Sequence, residues 1–395
     1  MSALPPSTEI LSGASDGNPY TYELPEERIA QRPVYPYDAA KLLRLDNITS
    51  ADACALQDRV FSDLPALLNP GDLLVLNNSV VQPARFFGQL ITGGAAELLL
   101  VGERGANEFE ALARPVKKLK PGTNVIINEQ LTFSVLQRLS EKTVLVRSSS
   151  KENPLTHASS SGSMPIPPYI RFGKGDARDI QDYQSRFAGI RSATTAEEQD
   201  QGFGSIAAPT ASLHFTDDLV SRLDAKGIER AYITLDVGLA SVLSVVQEDG
   251  SVRPPGPERV NVPPETLAQI ASTRRNGGRV VAVGTTVVRA LESAALSASQ
   301  PPASQPPASQ PPASQPQRAQ EMADIFIKPG HVFKNLDCVI TNFHQPASSH
   351  LLLIEALLGR KNLAAAYQHA LANDYRFLSY GDAMLIERYV NRMLC

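Results

Sequence analysis

Between residues 80 and 150 the chain changes its rhythm. Short runs that alternate apolar and polar residues follow one another: ARFFGQLI, AAELLLVG, EFEALAR, TNVIINE, LTFSVLQRL and KTVLVRS. Gly, Asn and Pro punctuate them. A period of two puts every second side chain on one face, and closely spaced strands of this kind escape exposed edges by closing on themselves. The flanks read differently. KLLRLD, DLLVLNNS, RAYITLDVG and RVVAVG have the texture of buried strands. LHFTDDLVSRLDAKG, TTVVRALESAAL, LLLIEALLG and NLAAAYQHAL have that of helices. Such alternation predicts a sheet covered by helices. The fold class expected is therefore α/β: a mixed sheet covered by helices, with a small antiparallel β-barrel inserted. The main domain is discontinuous, at 18–78 and 160–395, and the barrel occupies 79–159.

Local signals refine this. PEERIAQ predicts a short helix with Glu26 and Glu27 in its first turn, where carboxylates meet the positive end of the helix dipole. LPALLNPGDLLVLNNS reads as a helix end, a Pro-Gly turn and a buried strand. In LHFTDDLVSRLDAKG, Asp217 and Asp218 open a helix and Gly227 ends it. The loop YRFLSYGD is expected to precede a helix, with Asp382 available as its N-cap. Residues 1–17 are polar and Pro/Ser-rich, and are expected to be disordered. The Ser-rich stretch 148–163 is expected to be mobile. Within 297–320 stand three copies of PPASQ, which bury little and lack donors at Pro; they are expected to form a linker inside the main domain.

Composition limits the function. The 395 residues carry 37 Lys and Arg against 41 Asp and Glu, a net charge of -4, so a surface that wraps nucleic acid is excluded and any such contact must be local. Basic clusters that could serve are Arg114, Lys117, Lys118 and Lys120; Arg171, Lys174 and Arg178; and Arg274, Arg275 and Arg279. Cys54, Cys338 and Cys395 have no metal-ligand or redox spacing, and an odd count suits a reducing compartment. No signal-peptide pattern opens the chain, and no apolar run approaches the roughly 20 residues of a membrane helix. A cytoplasmic protein, monomeric and without a membrane partner, is expected.

Several polar loops sit where strands are expected to end. In VAVGTTVVRALES, Gly284 closes a strand and Thr285 or Thr286 begins a helix whose free N–H groups suit an anion or carboxylate. In AAPTASLHFT, Pro209 and Thr210 stiffen a loop that leads to His214. In ITNFHQP, Asn342 and His344 leave a strand before Pro346. In YRFLSYGDAML, Tyr375, Arg376, Ser379, Tyr380 and Asp382 crowd one turn. HExxH, GxSxG, GxxxxGK[ST] and a strand-linked GxGxxG are all missing, which removes the local warrant for a zinc hydrolase, serine hydrolase, P-loop or Rossmann enzyme. These residues alone specify a two-domain α/β protein with polar strand-end loops.

Taken in order, GDLLVLNNSVVQPARFFG, ARPVKKLKPG, MPIPPYI, DYQSRFA, IAAPTASLHFT, GGRVVAVGTTVVRALES, DIFIKPG, ITNFHQP and YRFLSYGDAMLI resemble the S-adenosylmethionine:tRNA ribosyltransferase-isomerase family of queuosine biosynthesis. The resemblance runs from about residue 20 to the C-terminus. It implies transfer and isomerisation of the ribosyl group of S-adenosylmethionine. The acceptor is the 7-aminomethyl-7-deazaguanine at the tRNA wobble position. Epoxyqueuosine forms, and adenine and methionine leave. S-adenosylmethionine and tRNA are the implied partners; no bound cofactor or metal is required. Residues matching the family pattern are Asn77, Arg85, Tyr169, Pro209, Thr210, His214, Thr285, Thr286, Arg289, Asn342, His344, Tyr375, Arg376, Tyr380, Gly381 and Asp382. The resemblance implies His214 or Asp382 for proton transfer. Arg289 and the Gly284–Thr286 turn would take the methionine carboxylate or a phosphate. Asn342, His344 and Tyr380 would orient sugar or base.

The chain also departs from that pattern. Where the family reads TLHVGxGTFxPV, this chain reads ITLDVGLASVLSV, with Asp236 in place of a histidine. Where the family reads HxMHxE it reads RPPGPE, with Arg253 and Gly256 in place of histidines and Glu258 retained. Gln345, Ser349 and His350 replace later residues of NFHLPxST. Asp accepts hydrogen bonds where His can both donate and accept. Asp236, Arg253 and Glu258 as an ion-pair substitute is one expectation. A paralogue with a changed substrate and a non-catalytic RNA-binding protein are the alternatives.

Overall fold

The computed structural model describes residues 20–48, 54–151, 153–155, 161–190, 203–238, 254–299 and 322–388. The expectations for 1–17, for most of the PPASQ region and for Arg253 lie outside the described residues. In chain order the strands are β1 (Lys41–Ile48), β2 (Ala55–Val60), β3 (Leu73–Asn77), β4 (Arg85–Leu90), β5 (Ala95–Gly105), β6 (Glu108–Arg114), β7 (Asn124–Ile126), β8 (Thr132–Arg138), β9 (Thr143–Ser148), β10 (Glu229–Leu235), β11 (Glu258–Asn261), β12 (Val280–Val283), β13 (Met322–Ala323), β14 (Cys338–Asn342) and β15 (Ala383–Arg388).

Strands β4 to β9 close into an antiparallel barrel in the order β4-β5-β6-β9-β8-β7. Its interior follows the alternation read from the sequence. Leu98 and Leu100, Phe109 and Ala111, Phe133 and Val135, and Val144 and Val146 all point inward and are buried. Phe86 and Phe133 meet edge to face, with centroids 5.2 Å apart.

The other nine strands form one sheet, ordered β13-β11-β10-β3-β12-β14-β15-β1-β2. At its centre β10, β3, β12 and β14 run parallel. Antiparallel pairing then attaches β15 to β14 and β11 to β10, while β1 lies parallel to β15. Successive residues of β3 serve opposite cores. Leu73 and Val75 pack with the helices Thr285–Ser299, Ser349–Leu358 and Arg360–Ala372. Leu74 and Leu76 pack with Phe61, Phe215 and the helix Asp217–Ala225. Burial on both faces is what a nearly continuous apolar strand indicates.

Several local readings carry through. Thr216 caps the helix Asp217–Ala225 by accepting from Leu219 N, and Gly227 turns the chain at φ +77°. PEERIAQ forms a single 3-10 turn, Glu26–Arg28. The expectation of a helix after YRFLSYGD is corrected: AMLIER is the strand β15. A short apolar run has no periodicity that separates a buried helix from a buried strand. Here Ala383–Arg388 is enclosed between β14 and β1, so the strand wins.

Candidate active site

The topology gathers the polar loops at one edge. Asn77, Leu235, Val283 and Asn342 end the four parallel strands on the same side of the sheet. Strand β15 runs the other way, so Asp382 enters the sheet there, with Ala383 opposite both Asn342 and Leu42. Carboxyl ends of parallel strands are where open α/β sheets place ligands.

Asn77 locks this edge. Its Nδ2 donates to Leu235 O at 2.9 Å and reaches Thr286 Oγ1 at 3.5 Å, and its Oδ1 accepts from the N–H groups of Ser79 and Leu235, each at 3.1 Å. All its polar positions are thus spent on protein. Gly284, at φ +95°, turns β12 into the helix Thr285–Ser299. In the first turn of that helix Val287 N and Val288 N donate to Gly284 O, at 3.1 and 3.3 Å, while the N–H groups of Thr285 and Thr286 precede the helical ladder.

The 3-10 turn Thr210–His214, stiffened by Pro209, packs beside Asn342. Thr210 Oγ1 donates to Asn342 Oδ1 at 2.9 Å, which leaves the Asn342 amide to donate to His214 Nε2 at 3.3 Å. The Tyr37 backbone also faces the ring and favours its protonated form. Phe61 lies against the ring at 4.8 Å. Burial, helped by the Arg376 charge, lowers the His214 pKa to about 4. At neutral pH this is a neutral imidazole.

Asp382 is equally enclosed. Its two oxygens accept from Lys41 N at 2.8 Å and Arg376 N at 2.7 Å, and Arg376 Nη2 stands 3.9 Å away. Burial raises its pKa against the pull of these two N–H groups. Gly381 before it allows the loop to fold back: a Cβ there would lie 2.5 Å from Arg376 O. Gly381→Ala should therefore open the loop. A loss of about 1–3 kcal/mol, of the size seen for overpacking with backbone shifts, is expected in urea unfolding.

A second group flanks the first. His344 bonds Thr341 Oγ1 at 2.9 Å and stacks on His350, with centroids 4.7 Å apart and planes 14° apart. Burial and mutual proximity depress His344, and burial together with the Arg289 charge holds His350 at about 4. Both rings keep partial exposure, but protein atoms dominate their surroundings. Arg289 pairs with buried Glu258 and also donates to Ala323 O at 3.1 Å and Gly256 O at 3.3 Å. Glu258 Oε1 accepts from Gly238 N at 3.0 Å. Asp236 pairs with Arg259 at 2.6 Å, and burial raises its pKa. Asp236 and Glu258 thus have separate arginine partners, Arg259 and Arg289. A cleft of about 20 Å³ separates Arg289 and His350 from Pro255 and Ile327.

The remaining candidates lie further out. Tyr169 bonds Ser379 Oγ at 2.8 Å, and burial pushes its pKa up to about 12. Tyr380 donates to Asp179 at 3.1 Å. Arg376 turns to the carbonyls of Arg32 and Tyr380. Tyr375 points away, donating to Asp58 at 2.6 Å beside His369. Arg85 faces the barrel junction, where it holds the carbonyls of Ile166 and Gly173. These two are not brought into the edge cluster. Another cleft, about 470 Å³, opens at the opposite edge between Gly71, Gly278, Arg279 and Arg388; none of the candidate residues lines it. Sequence reasoning passed over His350 as a partner of His344 and Arg259 as the partner of Asp236. For His350 the only local signal was its place in the first turn of a helix beginning beside His344.

The depressed imidazoles give a pH prediction. Between pH 4 and 6.5 the unfolded chain binds protons that folded His214 and His350 refuse, so stability rises with pH across that window. Raised carboxyls such as Asp382 have the opposite sign, destabilising as pH rises from their ordinary value. The melting midpoint should fall as pH drops from 7 to 4.5. His214→Gln, which removes one titrating group, should flatten the slope; an unchanged slope would mean that His214 is not buried neutral.

Comparison with known proteins agrees in extent. The profile of a family described as "Queuosine biosynthesis protein" matches residues 18–386. An S-adenosylmethionine:tRNA ribosyltransferase-isomerase of Azoarcus sp. is 40% identical, over 93% of this chain and 96% of its own. The protein of the same name from Nostoc sp. is 38% identical, over 93% and 90%. A solved S-adenosylmethionine tRNA ribosyltransferase of Thermotoga maritima is 32% identical, over 93% of this chain and 99% of its own, with a TM-score of 0.47. The match spans the main sheet and the barrel alike, and the chain belongs to the queuosine biosynthesis protein family.

Proposed function

We propose that this protein is an S-adenosylmethionine-dependent tRNA ribosyltransferase-isomerase. It moves the ribosyl group of S-adenosylmethionine onto the 7-aminomethyl-7-deazaguanine at the wobble position, forms epoxyqueuosine and releases adenine and methionine. The observation that carries this reading is full-length similarity to relatives bearing that name, joined to the gathering of the matching loops at one sheet edge.

The edge offers what the chemistry asks. A sulfonium acidifies the adjacent carbon, so a base must take its proton. Departing adenine develops negative charge that must be protonated or hydrogen-bonded. His214 is held in its base form, with Nε2 turned to Asn342. Asp382, with a raised pKa beside Arg376, is the second proton-transfer group. The open N–H groups at Thr285 and Thr286 take the methionine carboxylate. Asp236 and Glu258, each paired with an arginine, brace this edge of the site. His344, with His350 behind it, and Tyr380 orient sugar or base, while Asn77, Pro209 and Thr210 set the walls. The substrate is consumed rather than retained as a cofactor. Among the described residues no helix is long and apolar enough to cross a membrane; the reading is of a cytoplasmic monomer.

Incubation of purified protein with S-adenosylmethionine and precursor-bearing tRNA should release adenine in proportion to modified tRNA. No release with any such tRNA would remove the catalytic reading. Tight tRNA binding without release would leave an RNA-binding scaffold, the reading that the substitutions at Asp236 and Gly256 favour.

A further inference from the structure

Arg171, Phe172 and Gly173 all have positive φ, at 44°, 54° and 76°. For Arg and Phe this left-handed region is costly, and it persists only where the surroundings over-determine it. They do so here. Arg171 N donates to Gln31 Oε1 at 2.8 Å, and its guanidinium grips both oxygens of Asp179 at 2.5 Å. Gly173 O is held by Arg85 and Gly173 N by Ile170 O at 2.8 Å. The result is unusual for a large apolar side chain: Phe172 is 93% exposed. These contacts hold Arg171 and Gly173, while the Phe172 ring itself gains neither packing nor burial and projects into water.

A second exposed ring belongs to the segment that braces this turn, since Arg32, three residues before Tyr35, also pairs with Asp179. Tyr35 is 51% exposed, and the Arg178 guanidinium lies over its face at 5.3 Å. Lys174 and Arg178 are exposed, and neither forms an ion pair among the described residues. Arg85, behind Gly173, also feels the charge of Arg114, which begins the exposed run holding Lys117, Lys118 and Lys120. The third basic cluster differs: Arg279 and Arg274 are committed to Asp72, Glu387 and Asp337. The turn is braced against the candidate site, because Asp179 also accepts from Tyr380 and Tyr169 bonds Ser379.

We propose that Phe172 and Tyr35, flanked by Lys174 and Arg178, form a stacking platform for unpaired bases of the RNA next to the base being modified. This rests on the tRNA reading above. A base that leaves the stack to enter a site exposes the faces of its neighbours, and aromatic rings take such faces without regard to sequence. Lys174 and Arg178 contact the phosphates between them.

Phe172→Asn separates the platform from the fold. Asn tolerates the left-handed region better than Phe, and the lost ring was solvent-exposed. The variant should melt at or above the wild-type temperature. It should bind tRNA, and show a KM for tRNA, about tenfold or more weaker, with the KM for S-adenosylmethionine unchanged. Phe172→Trp should bind like wild type. Lys174→Ala should lower the slope of log affinity against log salt by about one. Wild-type turnover with an unaltered tRNA KM in Phe172→Asn would overturn the platform alone. Absence of turnover and of tRNA binding in the wild type would overturn the function beneath it. Loss of self-association with tRNA binding intact would assign the patch to a second copy of the chain and overturn the proposal.

Discussion

Glu258→Ala is expected to cost about 3–5 kcal/mol of folding stability, because one partner of a buried ion pair cannot be removed without stranding the other. The Glu258 side chain is 1% exposed and that of Arg289 10%. Without the carboxylate, Arg289 keeps, among the described residues, only the carbonyls of Ala323 and Gly256, with no acceptor there for its Nε, and Gly238 N loses its own. The pair also fixes β11 against the helix that begins at Thr285, so activity should fall with stability. Replacing both residues together, Glu258→Met with Arg289→Met, should recover part of the stability because no charge is left uncompensated. Urea unfolding of the three variants decides this. A single variant within about 1 kcal/mol of wild type would mean that the pair is solvated, contrary to the burial described.

His214→Gln should lower turnover by roughly 10²- to 10⁴-fold, the range attributed to a positioned acid or base. Gln offers an oxygen near the place of Nε2, so the Asn342 amide retains an acceptor and the fold should hold to within about 1–2 kcal/mol. An imidazole at about 4 is a weak base but is entirely in base form at neutral pH. The kcat profile of the wild type should consequently show no limb from this residue between pH 5.5 and 8. Turnover within tenfold of wild type, with stability reduced, would make His214 a packing residue that orders the Thr210–His214 turn.

The barrel was legible because its strands alternate cleanly, as in EFEALAR, where Phe109, Ala111 and Ala113 face inward. The parallel centre was legible from apolar runs such as VVAV and LLVL, which only a sheet covered on both faces can bury. AMLIER was not: its run is no shorter than those, but Asp382 before it reads equally well as a helix N-cap. The candidate edge was legible as a set of separate loops. Their convergence was not, because it depends on β15 entering antiparallel beside β14 and bringing Asp382 next to Asn342. The partners of charged residues were least legible. Asp236 meets Arg259, 23 residues on and in the strand paired with β10, and Arg289 meets Glu258 rather than solvent. Tyr375 and Arg85 belong to the family pattern, yet their polar atoms serve Asp58 and Gly173. A matching residue type does not say which way its side chain is spent.

Amide hydrogen exchange with and without S-adenosylmethionine tests the placement of the site most directly. Protection should appear at 284–289, 342–350 and 376–382, the loops that share the carboxyl ends of the parallel strands. Protection confined to 69–72 and 276–279, around the opposite cleft, would contradict it.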